Sequence, residues 1–144
     1  MTTDRNDSTV QSALGVDRAT IVPVLVYEDI EAAHDFLVAA FGFTSGGLHR
    51  DEKGTIVHGE VRMGDAAVWL HRVTAESQLS SPQGAPSSHG GLEVIVPNVE
   101  AHHAQAKAAG ARIDRPPEDQ AYGLREYSAR DPENHRWFFS TPLS

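Results

Sequence analysis

The chain states nearly the same plan twice. From Val26, VYEDIEAAHDFLVAAFGF reads as a strand end, an acidic cap, an Ala-rich helix, a glycine and a new strand. From Val96, VPNVEAHHAQAKAAGARI follows the same order. Laying Asp29 over Asn98 puts Glu31 on Glu100, Ala33 on His102 and Ala40 on Ala109, and skipping Phe41 aligns Gly42 with Gly110. A duplicated unit of this length predicts two similar half-sheets sharing a surface, with a ligand seated in the shared concavity.

Local signals fill in each unit. A strand is expected over Thr20 to Tyr27, then a helix capped by Asp29 and running to Phe41, with Ala33, Phe36, Leu37 and Ala40 as its apolar stripe. Gly42 stops it. FTSGGLHRD reads as a strand or irregular edge, broken by Gly46 and Gly47. In TIVHGEVRMGDAAVWLHR, Gly64 and Asp65 suit the centre of a tight turn. That turn sets Met63 against Ala66, Arg62 against Ala67, Glu60 against Trp69 and His58 against His71. Alternation then gathers His58, Glu60, Arg62, Trp69 and His71 on one face, and Val57, Gly59, Val61, Met63, Ala66, Val68 and Leu70 on a core face.

In the second unit GLEVIV is a strand with Leu92, Val94 and Val96 on one side and Gly91, Glu93 and Ile95 on the other. Asn98 caps a helix ending at Gly110, and ARIDRPPEDQ leads into the strand LREYSAR. A turn over Asp131 to Asn134 precedes HRWFFS, and Asn134 sits where a positive φ is wanted. The organisation is therefore a mobile tail over 1–17, a first module over 18–73, a Ser/Pro/Gly-rich linker over 74–90 long enough for a lid or dimer arm, and a second module over 91–144.

Composition narrows the partners. The net charge of −8 argues against nucleic acid and anionic membranes, which want clustered Lys and Arg, and permits cationic or neutral ligands. There is no cysteine, which removes disulfides and thiolate chemistry. With no long apolar run and no leader-like start, the cytoplasm is the expected address. No glycine-rich phosphate loop or nucleophile–base series is present.

Two tandem βαβββ units, D-x-x-x-A-x-x-F in the first helix and RDPENHRWFF at the end together resemble the vicinal oxygen chelate superfamily. That superfamily includes glyoxalase I, bleomycin-resistance proteins and extradiol dioxygenases. The resemblance covers about Ala19 to Thr141 and is nearest to the PhnB-like branch. Tyr122, Gly123, Arg125, Asp131, Pro132, His135, Trp137 and Phe139 match that branch's usual ending, and Asn134 replaces a glycine. The resemblance implies an α+β fold of two tandem βαβββ modules forming a curved mixed-sheet cleft, and a homodimer.

It also implies four metal-ligand positions. Carried over, these fall on Val22, on the strand Ala67 to His71 (spacing points to Leu70, alternation to Trp69 or His71), on Gly91 and on Phe138. At least three offer no donor, so the usual divalent metal is not expected and no cofactor is assigned. His58 and His71 with Glu93, or with Glu60, form an alternative metal set.

Three functions remain open. The first is a metal-free binder of a small aromatic or cationic molecule, similar to bleomycin-resistance proteins. Its candidate contacts are Val22, Val24, His58, Glu60, Arg62, Trp69, His71, Glu93, Tyr122, Arg125 and Phe138. Glu93 is expected either to pair with Arg62 or Arg125 or to face a ligand. The second is a glyoxalase-like lyase or isomerase at His58 and His71, or a metal-free acid–base catalyst. The third is a partner module using residues 73–90 and the sheet edges. His102 and His103 are expected to be solvated on their helix.

Overall fold

A computed structural model describes residues 19–144, so the tail expected over 1–17 lies outside the described residues. The chain runs β1 (Val24–Tyr27), α1 (Ile30–Phe41), β2 (Thr44–Arg50), β3 (Ile56–Met63) and β4 (Ala66–Arg72). It continues with β5 (Gly91–Ile95), α2 (Val99–Ala108), β6 (Arg112–Asp119), β7 (Leu124–Arg130) and β8 (Arg136–Pro142). This is an α+β fold of two four-stranded mixed sheets, ordered β1-β4-β3-β2 and β5-β8-β7-β6.

The caps form as the side chains dictate. Asp29 accepts from the Ala32 N–H and Asn98 from the Ala101 N–H, each supplying an acceptor to an orphan donor of the first turn. Gly42 ends α1 with φ 76°, a left-handed geometry that costs glycine little. The hairpin register is the one the Gly64–Asp65 turn requires, with His58 opposite His71, Glu60 opposite Trp69 and Arg62 opposite Ala67.

Three expectations change. Regular pairing begins at Val24, not Thr20, because Pro23 has no N–H to give; only its carbonyl joins the sheet, accepting from the Trp69 N–H at 2.9 Å. The lead-in ARIDRPPEDQ is itself a strand, β6. It tolerates Pro116 and Pro117 because it is the outer strand of its sheet and its register shifts between Arg115 and Glu118. His102 is not solvated: its imidazole bridges the Tyr127 hydroxyl (2.6 Å) and the Phe41 carbonyl (2.8 Å), and burial lowers its pKa.

That last contact belongs to the way the modules join. Each helix packs on one face of its own sheet, and α1 lies against α2. The core is continuous across this seam, with Phe41 touching Trp137 and Phe139 and Phe43 touching Trp137. Among the described elements no strand of the first sheet contacts a strand of the second. The helices are the inner layer, and each sheet turns its other face outward.

A polar clasp locks the seam at one end. Asp131 accepts from the Tyr27 hydroxyl (2.5 Å) and the Trp137 indole (3.1 Å), and from the backbone N–H groups of Glu133 and His135. Burial and that carboxylate push the Tyr27 phenol pKa well up. Glu133 accepts from the Glu28 and Asp29 N–H groups at 2.7 and 2.8 Å, directly before α1, and His135 reaches the Val26 carbonyl. Asn134 holds the turn with φ 74°, as its position demands.

Candidate functional site

Strand alternation decides what each outward face presents. On the first sheet, Val26, His71, His58 and His49 are successive cross-strand partners, and Val24, Trp69 and Glu60 form the next row. Leu70 is fully buried under α1, as alternation requires. Val24 is 44% exposed beside Trp69, while Val22 lies before β1 begins.

Glu60 is 3% exposed and its carboxylate is committed. It accepts from the Trp69 indole at 3.1 Å and from the Arg62 guanidinium. Gly46 leaves room for it, since a Cβ there would stand 2.7 Å from the Glu60 side chain. The result is a fixed indole with His58 edge-on to it at 5.8 Å between ring centres. His58 has His49 at 5.6 Å and His71 at 6.1 Å. Burial first, then those two imidazoles, lower its pKa. His49 was not apparent in the sequence because the bulge between Ser45 and Gly47 breaks the alternation that would have placed it.

On the second sheet the outward rows are Gly91–Arg136–Arg130–Arg112, Glu93–Phe138–Ser128–Arg115 and Ile95–Ser140–Glu126–Glu118. Phe138 is half-buried at the centre, with the Arg136 guanidinium 5.4 Å from its ring centre. Glu93 finds neither of its expected arginines, because Arg62 is held by Glu60 and Arg125 by Glu100 and Asp119. Instead it accepts from Ser140 (2.7 Å) and faces Glu126. Desolvation, then sharing a hydrogen bond with that second carboxyl group, raises its pKa to about 7. The Tyr122 hydroxyl donates to Glu126 at 2.6 Å, which places Tyr122 over this face. Arg125, by contrast, turns to the helix side, tying β7 to Glu100 of α2. Alternation in LREYSAR and HRWFFS was the signal that could have found Glu126, Ser128, Arg130, Arg136 and Ser140.

The structure thus assembles two sets. His58, Glu60, Arg62, Trp69, His71 and Val24 share the first face; Glu93, Phe138 and Tyr122 share the second. Within one chain the sets do not meet. A cavity of about 470 Å³ lies elsewhere: between the β1 and β5 edges, beneath residues 78–90. That connection is tied down, with Ser81 donating to Glu133 (2.5 Å) and Asn134 donating to the Ala85 carbonyl (2.8 Å).

Residues 16–139 match the family model of the glyoxalase/bleomycin resistance protein/dioxygenase superfamily. The chain belongs to that superfamily. An uncharacterised Mycobacterium bovis protein, Mb0911c, is 30% identical over 135 residues, covering 91% of this chain and 88% of the relative. The crystal structure of TioX from Micromonospora sp. ML1 is similar at 34% identity and a TM-score of 0.68, over 88% of this chain and all of that one. TnmS3 from Streptomyces sp. CB03234, titled an antibiotic binding protein, shares the fold at 19% identity and a TM-score of 0.68, with 87% and 96% covered.

The donor set does not fit the superfamily's divalent metal. A side chain at Gly91 would meet Phe138 Cε2 at 2.9 Å and the Arg136 carbonyl at 3.1 Å, so no ligand fits there. Val22 and Phe138 have no donor atom, and the Trp69 N–H is turned to Glu60. Among the described residues no three His, Asp or Glu side chains converge at metal-holding distance. Glu93 is on the other sheet from His58 and His71.

Proposed function

We propose that this protein is a metal-free binder of a small aromatic or cationic molecule, of the bleomycin-resistance type within its superfamily. What carries the reading is that Trp69 and Phe138 stand on faces that, among the described residues, no other helix or strand covers. Each is held in one orientation, Trp69 by Glu60 and Phe138 beneath Arg136, so little side-chain freedom remains to lose when a ring stacks on it. The Glu93 and Glu126 carboxyl groups on the Phe138 face favour a positively charged partner. TnmS3 lends only the precedent that a fold of this kind binds antibiotics.

A homodimer completes the reading. One copy's first face set against its partner's second face would bring the two sets of side chains around a shared ligand. The PhnB-like branch and a cytoplasmic setting go with it. Among the described residues no helix is long and apolar enough to cross a membrane.

Thermal-shift screening of planar, cationic and bleomycin-like compounds tests the proposal. Stabilisation that falls as salt is added supports it, and a panel with no stabilising compound overturns it. Stoichiometric Zn, Ni, Mn or Fe in protein purified without chelator would instead install the lyase or isomerase reading at His58 and His71.

A further inference from the structure

The outward face of the second sheet gathers three arginines at one end and two acids towards the other, with Arg115 at the outer edge paired to Glu118. At one end Arg112, Arg130 and Arg136 are adjacent across three strands. They have one carboxylate among them: Asp114 accepts from Arg130 Nε at 2.9 Å. Arg136 Nε stands 3.3 Å from the same carboxylate but makes no hydrogen bond, and it is buried. Three guanidiniums against one carboxylate leave an excess of positive charge in a chain whose net charge is −8. Arg112 and Arg130 are kept extended by the Asn134 side-chain oxygen, at 3.1 and 2.8 Å.

At the other end lie Glu93 and Glu126, with no basic group among the described residues bonded to either. Among the described residues the hydroxyls that donate to them are those of Ser140 and Tyr122, and desolvation, then the hydrogen bond between the two acids, raises the Glu93 pKa. Between the ends lies the Phe138 ring. Beside it is Ser128, 2% exposed, whose hydroxyl has no partner although it lines a small hollow with Phe138 and Glu126. A buried hydroxyl left unbonded is costly, and a ligand atom over Phe138 would supply its partner.

We propose that this face binds a zwitterionic, planar-cored molecule, with its anionic group on the arginine row, its ring on Phe138 and its ammonium group at Glu93 and Glu126. This rests on the small-molecule reading above and narrows its ligand class. Arg130 lies four residue steps along β7 from Glu126, about 13 Å at a strand rise of about 3.3 Å per residue. A ligand bridging both ends therefore needs roughly the length of two linked rings. An amino acid is too short.

The test uses biphenyl with an aminomethyl group at one para position and a carboxylate at the other, beside the two analogues carrying one charge each. Calorimetric titration into the full-length protein should show the doubly charged compound binding about tenfold tighter than either analogue, the gain of one charge-assisted contact. The wild-type ranking decides without any variant. An analogue that matches the doubly charged compound overturns the proposal. So does binding of none of the three, while the binding reading itself is judged by the wider compound panel. Arg136→Gln should remove the preference for the carboxylate and leave that for the amine; Glu126→Gln should do the reverse. Equal losses for all three probes in both variants would also overturn it.

Discussion

In the first module Glu60 is buried, bonded to Trp69 and Arg62, and fitted into space left by Gly46. In the second, Glu93 and Glu126 share a hydrogen bond, and Ser128 goes unbonded. Both faces arise from the same strand order. The first satisfies its own polar groups and presents a rigid aromatic platform; the second leaves polar capacity for something outside the chain. A duplicated scaffold can therefore hold one wall constant in shape while the other reads charge.

The sharpest way to break this comparison is to remove the two acids in turn. Glu60→Ala should destabilise the fold by roughly 1–3 kcal/mol in urea unfolding, because the Trp69 indole N–H and the partly exposed Arg62 guanidinium lose their acceptor. Glu126→Ala should cost far less, since its loss also relieves crowding with Glu93. Similar costs would mean that both acids are structural. Next, Gly46→Ala should destabilise by about 1–3 kcal/mol, as its methyl group displaces the Glu60 side chain, and the Trp69 fluorescence should shift with it.

A pH series sharpens the contrast further. Glu93 holds its proton to about pH 7 in the fold and to about 4.5 when unfolded. Between those values the native state binds more protons, so this group's contribution is present below pH 4.5 and is lost as pH rises through 7. Glu93→Gln should flatten that part of the stability curve, and an unchanged slope would remove the group from consideration. The smallest effect concerns His58. Its imidazole should titrate below 6.5 by NMR, and His71→Gln should move it up. No movement would leave burial and His49 as the causes.

The first hairpin was legible to the residue because one turn, Gly64–Asp65, fixes both register and face. The caps at Asp29 and Asn98 were legible for a similar reason: a short polar side chain before an apolar helix has one economical use. What escaped depended on partners distant in sequence. His102 looks like any surface helix residue until α1 is laid beside it. β6 hides behind two prolines that only an outer strand accommodates. Glu93 was correctly singled out as a charge on an apolar strand, but nothing in the sequence says that its neighbour is another acid. The resemblance marked four positions for metal ligands, yet it left unstated that each half would turn its face away from the other.

The clasp at Glu133 has a consequence for the history of the duplication. The carboxylate that receives the backbone just ahead of the first helix comes from the last turn of the second half, and the reciprocal position in the first half offers nothing comparable. Severed near the linker, the amino-terminal portion would lose the acceptor at its helix entrance and the aromatic wall behind Phe41. Each half is therefore completed by groups of the other, and an exchange of one half alone would have to replace them.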